Sequence, residues 1–277
     1  MVEPLRPHLL VVVAGTGTDI GKTWTTVRLA EMLRSEHSLD VAARKPAQSF
    51  ENTDAKTDAA LLATATGVEP YDVCPEHRWY PLALAPPMAA DALAVPNINL
   101  SDLLAEVDSS WPGRAPDIGF VELAGGVRSP IAHDADGVDL THGLRPQVVV
   151  VVADSGLGAI NSVRLTCDAL RGHRVIVLLN RFDDGNWLHR ANRDWLVAHH
   201  DIETTTSVEE LASTIFDALP RWCRGCGRPD AQCPGDCLAP LDVARHCPLC
   251  GRKVAVTITP TATTARCRVH GAQPFSA

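Results

Sequence analysis

A chain of 277 residues, 45 % of them hydrophobic, can build a real core as one large domain or as a medium domain with a small one. Its formal net charge of −8 argues against a broad nucleic-acid footprint. No apolar run approaches a membrane span, and no basic flank with a long apolar stretch opens the chain; a cytoplasmic protein is expected, with neither nucleic acid nor membrane among its partners.

Leu9–Ala14 reads as a short buried strand that runs into a glycine turn. Thr23–Arg34 follows as a helix, with Val27, Ala30 and Leu33 at helical spacing. Val41–Lys45 is a second strand, and Asp58–Thr66 a helix rich in Ala and Leu. Residues 70–100 carry many prolines and predict loop with one short helix. Ile118–Leu123 is a strand that leads into Ala-Gly-Gly, and Gln147–Ala153 is a strongly apolar one. Ala159–Arg171 predicts helix, Val175–Asn180 strand, Trp187–His199 helix and Glu209–Leu219 a last helix. Strands that alternate with helices, in runs apolar enough to be buried on both faces, predict an α/β fold with a parallel sheet flanked by helices. The composition shifts at Pro220: seven of the nine cysteines lie beyond it. That shift divides the chain into a domain over 1–220 and a cysteine-rich module over 221–277.

The turn after the first strand reads GTGTDIGKTW, from Gly15 to Trp24. It resembles a phosphate-binding loop, except that five residues rather than the standard four separate Gly15 from Gly21. The strand before it and the helix after it are the context such a loop needs, because backbone amides and a helix N-terminus together cradle an anion. Gly21 would let the backbone approach a phosphate, Lys22 would reach the β- and γ-phosphates, and the Thr23 hydroxyl would help hold Mg²⁺. A plain strand-turn-helix with an exposed lysine is the competing reading. Metal-binding carboxylates belong at strand ends, which points to Glu122, to Asp58 at a helix start, and to Asp54 as a nearby competitor. As alternatives, Asp58 is a helix cap and Glu122 a surface carboxylate. Lys45, just after a strand, is either a surface lysine or a second cation for a transferring phosphoryl group.

Six segments in this order resemble the dethiobiotin synthetases: GTGTDIGKT, KPAQS, TDAALLA, VELAGGVRSPI, GLGAINS and LLNR. The resemblance covers roughly residues 9–182, and the long glycine spacing is similar to that family's own loop. It implies a P-loop NTPase-like sheet and ATP-dependent ring closure of 7,8-diaminopelargonic acid with CO₂ or bicarbonate, through a phosphorylated carbamate. Lys22 and Lys45 would be catalytic. ATP would be held by Asp19, Ile20, Gly21, Lys22, Thr23 and Trp24, by Asp58, Glu122, Leu123, Ala124 and Gly125, and by Asn180 and Arg181. Thr23, Asp58 and Glu122 would bind Mg²⁺, and Ser49 and Asn161 the diamine, with Asn161 near the interface of a homodimer. Two departures stand out: Phe50 replaces the usual glycine after the lysine loop, and Leu123 replaces the first glycine after the acidic strand end. Both put larger side chains on presumed substrate loops.

Cys247-x₂-Cys250-x₁₆-Cys267-x₂-His270 has zinc-ribbon spacing, with the strand-like KVAVTITPT and TARCRVHG between the knuckles. Cys223, Cys226, Cys233 and Cys237 offer a second site, for zinc or an iron–sulfur cluster. A purely structural, metal-folded tail is the simpler reading. The stretch from Cys223 to Gly271 also resembles the small biotin synthase auxiliary proteins of actinobacteria, which implies biotin synthase as a partner. An alternative function is a catalytically weak P-loop protein that serves mainly as such an auxiliary. A cobyrinate-type amidotransferase would need a glutaminase domain that the tail cannot supply. A partitioning ATPase would carry an early loop lysine, absent from residues 15–20.

Overall fold

The computed structural model describes residues 6–51, 56–111, 113–238, 242–259 and 262–273. Six parallel strands make the central sheet: β1 (Leu9–Gly15), β2 (Val41–Arg44), β3 (Ile118–Glu122), β4 (Val148–Asp154), β5 (Val175–Asn180) and β6 (Thr204–Thr205). Their order is β6-β5-β4-β1-β3-β2. Alternation along β1 explains its unbroken apolar run. Leu9, Val11 and Val13 enter one core layer and Leu10, Val12 and Ala14 the other, none more than 2 % exposed.

Eight helices of seven residues or more cover the sheet among the described residues: α1 (Lys22–His37), α2 (Asp58–Thr66), α3 (Pro86–Ala92), α4 (Leu100–Ser109), α5 (Gly137–Leu144), α6 (Ala159–Ala169), α7 (Trp187–His200) and α8 (Val208–Asp217). One layer is built by α1, α2 and α8, through Leu29, Leu33, Leu62 and Leu211. The other is built by α3 to α7, through residues such as Leu103, Leu140, Val163 and Leu196.

The expected elements all form, most of them with shifted ends. α1 runs on to His37, whose ring stacks on Phe216 at 3.8 Å between centroids. The proline-rich 70–100 region is more ordered than expected: a helical turn at Pro70–Val73 and a two-residue strand at Trp79–Tyr80 precede α3. Helices α4 and α5 were not expected. α5 starts at a capping box, in which Asp136 accepts the Val138 and Asp139 amides.

Beyond residue 220, β7 (Ala255–Ile258), β8 (Thr263–Cys267) and β9 (Gly271–Gln273) form an antiparallel ribbon. The ribbon is not insulated from the sheet. Cys247, Leu249 and Cys267 join the same buried cluster as Leu33, Val41 and Ile118.

Candidate functional site

The C-terminal edge of a parallel sheet collects strand ends and helix starts, and the site lies there. Gly21 sits at φ 97° as the cap of α1. A Cβ on it would lie 2.2 Å from Asn180 Nδ2, so both backbone and space require glycine. Gly15 is held by a different contact, since a Cβ there would meet Ile20 Cδ1 at 2.5 Å. Ile20 thus folds back over Gly15. The loop is braced from β5: Asn180 Nδ2 donates to the Ile20 carbonyl at 2.8 Å, and Arg181 to the Asp19 carbonyl at 2.7 Å. The first turn of α1 carries no acidic residue, which keeps its amide end favourable to an anion.

Beside the loop lies a compact charge cluster. Thr23 Oγ1 is 2.9 Å from Asp58 Oδ1 and 2.8 Å from Glu122 Oε1. Thr26 Oγ1, one turn on, is 2.9 Å from Glu122 Oε2. Lys45 Nζ donates to Glu122 Oε1 at 2.7 Å and also to Asp58. Glu122 is wholly buried and Lys45 is 3 % exposed, so neither charge could persist there unpaired. Burial pulls the Lys45 ammonium down, but Glu122 and Asp58 outweigh it and hold the pKa above the ordinary value. Asp58 moves the other way: burial raises it, and Lys45 and Thr23 more than compensate. Lys22 donates to the Gly17 carbonyl at 2.8 Å, and burial, with Lys45 nearby, lowers its pKa. A hydroxyl and two carboxylates on one side of the loop are the hard oxygen donors that suit Mg²⁺.

A cleft of about 710 Å³ opens over this cluster. Of the expected residues, Asp19, Gly21, Lys22, Thr23 and Trp24 line it from the loop. Lys45, Ser49, Ala124 and Gly125 line it from the segments after β2 and β3, and Asp58 from the start of α2. Ile20 belongs to the loop and accepts the Asn180 bond through its carbonyl, and Asn180 and Arg181 stand behind the loop as its braces. Glu122 lies beneath, on Lys45. Gln48 Nε2 and Ser49 Oγ are buried at the cleft without a hydrogen-bond partner, as suits atoms that await a polar ligand. Phe50 also lines the cleft, edge-on to Trp79 at 5.9 Å.

Leu123 corrects the expectation of crowding. Its side chain is 1 % exposed, packs in the second core layer with Val127 and Val138, and leaves the cleft free. Asn161 is exposed on α6 and does not line the cleft. Asp54 lies outside the described residues. Asp58 is the first residue of α2, and Thr57 is its cap, accepting the Ala60 amide. Thr26 and Gln48 were missed. Thr26 was marked only by its one-turn spacing from Thr23. Gln48 accepts the Ala59 amide at 3.0 Å through its side chain, a contact that no local pattern announces.

Each tail set converges. The ligand atoms of Cys223, Cys226, Cys233 and Cys237, and of Cys247, Cys250, Cys267 and His270, lie within 4.8 Å of one another. Cys233 and Cys237 sulfurs are 3.5 Å apart, and Cys250 and Cys267 sulfurs 3.9 Å. A zinc tetrahedron with legs of about 2.3 Å has edges of roughly 3.8 Å, so the donor spacing fits. Backbone amides of Gly225 and Val269 point at Cys223 and Cys267 sulfurs from 3.4 Å, as thiolate ligands require. Burial pushes the Cys247 thiol up to about 12, which a bound cation would offset. All nine cysteines are free of disulfides.

The AAA domain family (AAA_26) matches residues 10–215. The chain is 36 % identical over 183 residues to the ATP-dependent dethiobiotin synthetase BioD of Haloferax mediterranei, covering 65 % of this chain and 75 % of that one. Against the BioD of Rhodococcus jostii it is 34 % identical over 220 residues, covering 76 % and 91 %. Against that of Rhodococcus erythropolis it is 33 % identical over 228 residues, covering 76 % and 96 %. Among the described residues no helix is long and apolar enough to cross a membrane.

Proposed function

We propose, on the premise that the chain belongs to the AAA domain family and within it to the ATP-dependent dethiobiotin synthetases, a division of labour in which the cleft makes dethiobiotin and the tail serves the next step. The enzyme is an ATP-dependent ligase of biotin biosynthesis. Its substrates are 7,8-diaminopelargonic acid, CO₂ and ATP. One amine takes up CO₂ as a carbamate, whose oxygen attacks the γ-phosphorus as ADP leaves. The second amine then attacks the carbamoyl carbon, and phosphate leaves as the ureido ring closes.

Mg²⁺ held by Thr23, Asp58 and Glu122 would supply charge neutralisation at the phosphate oxygens. Lys22 and the α1 amides bind the phosphates. Lys45 stabilises the carbamate and the transferring phosphoryl group. Ser49 accepts a hydrogen bond from the diamine, and the unpartnered Gln48 Nε2 donates to a carbamate or carboxylate oxygen. Asn180 and Arg181 keep the loop shaped for ATP. The carrying observation is the meeting of Thr23, Lys45, Asp58 and Glu122 beside the loop in one cleft. In a homodimer Asn161 would reach the substrate's carboxylate end across the interface. The protein works in the cytoplasm, where reduced thiols favour metal ligation. The tail takes zinc or an iron–sulfur cluster and assists biotin synthase, for which the support is its likeness to auxiliary proteins of that enzyme.

The test is the full-length chain with 7,8-diaminopelargonic acid, bicarbonate, ATP and Mg²⁺. Equal amounts of dethiobiotin and ADP are expected. ADP release without dethiobiotin would contradict the assignment. For the tail, faster biotin formation by biotin synthase in the presence of the full chain is expected, and no change would refute assistance.

A further inference from the structure

His270 faces the second cysteine set with one ring nitrogen and the ligase sheet with the other. Nδ1 lies 3.4 Å from Cys247 Sγ and 3.8 Å from Cys267 Sγ, while Nε2 lies 2.8 Å from Asp117 Oδ2. The two side chains are 0 % and 3 % exposed. Asp117 stands immediately before β3, the strand that ends at Glu122. The same Oδ2 accepts the Asp40 amide at 2.8 Å, just before β2, and His8 Nδ1 is 3.6 Å from Oδ1. A carboxylate against Nε2 keeps a proton on that nitrogen and leaves the Nδ1 lone pair for a metal. The four-cysteine set contains no histidine and is half-buried throughout.

We propose that Asp117 is the positioning carboxylate of the Cys247, Cys250, Cys267 and His270 metal site, so that the metal fastens the tail to the strand that carries Glu122. This rests on the reading of that set as a metal site. Asp117 orients the imidazole and fixes its tautomer from the ligase side. The metal therefore joins residues of the tail to the entry of β3, and the two parts share stability. The competing role is purely local, in which Asp117 only satisfies the Asp40 amide. That role predicts no effect on metal affinity.

Zinc competition against a chromophoric chelator decides between them, with the zinc-loaded full-length chain beside Asp117→Ala and Asp117→Asn. In the wild type the two sets are expected to release zinc separately, because their ligand atoms form two distinct clusters. Asp117→Ala weakens one set by about 10–100-fold and leaves the other unchanged. Asp117→Asn keeps an acceptor for Asp40 and His270 but loses the charge, and falls between. With Co²⁺ as probe, Asp117→Ala shifts the ligand-field absorption of one site only, a readout that a local structural role would not move. Unchanged affinities overturn the proposal, and so does an equal loss at both sites, which marks general unfolding. A chain that binds neither zinc nor cobalt refutes the metal reading itself. The dethiobiotin assay of the same wild-type sample reports separately on the ligase.

Discussion

The Asn180 side-chain amide donates to the Ile20 carbonyl at 2.8 Å, and its nitrogen occupies the space a Cβ on Gly21 would need. One residue at the end of β5 thereby shapes the phosphate loop from behind. Asn180→Ala removes this brace and is expected to cost about 1 kcal/mol of ATP binding, or roughly fivefold in affinity. Gly21→Ala combines the clash with a left-handed φ of 97° and is expected to abolish nucleotide binding. Calorimetric titration with a non-hydrolysable ATP analogue checks both. Unchanged affinity for Asn180→Ala would refute the brace.

Lys45 and Glu122 make a buried ion pair at 2.7 Å. Lys45→Ala leaves Glu122 buried without its cation and is expected to destabilise the free chain by about 3–5 kcal/mol. The double variant with Glu122→Gln should recover most of that loss, since the stranded charge is gone. Urea unfolding of the two single variants and the double variant closes the cycle. Additive effects would show that the residues do not interact.

The two departures from the family pattern are expected to behave differently. Phe50→Gly widens the cleft beside Ser49 and strips an aromatic wall, so KM for the diamine should rise several-fold with kcat little changed. Leu123→Gly empties a fully packed core position and should cost about 2–5 kcal/mol of stability. Its KM should stay unchanged in the folded fraction. Steady-state kinetics with thermal unfolding separates these outcomes. A large KM effect at Leu123 would contradict its placement in the core.

These contrasts mark what the sequence could and could not say. The strand β5 and the helix α2 were legible to the residue, because Val-rich runs and helical spacing are local signals. Lys45, Asp58 and Glu122 were legible as candidates because each ends a strand or starts a helix. Their meeting depends on β1, β2 and β3 lying side by side, which no local pattern encodes. Leu123 shows the converse limit. A motif comparison fixes its position in a loop but not the direction of its side chain, which turns into the core. Helix α5 was hidden because its cap is Asp136 paired with Asp139, not the Ser/Thr and Glu/Gln pattern. Asp117 was hidden because its partner, His270, is 153 residues away.

The cysteine sets should also differ in lability. The Cys223 set is half-buried throughout, whereas Cys247, Cys267 and His270 are buried. With excess chelator, metal release should be biphasic, and Cys223→Ser should remove the fast phase alone. A single phase, or loss of the slow one, would reverse the assignment.

The ligase assignment is tested most directly by dethiobiotin formation by the purified full-length chain from 7,8-diaminopelargonic acid, bicarbonate, ATP and Mg²⁺, beside Lys22→Ala. ATP-dependent product is expected from the wild type and almost none from the variant, whose fold should be unchanged by circular dichroism. No product from a folded, ATP-binding wild-type chain would contradict the ligase assignment and leave the chain as an auxiliary protein.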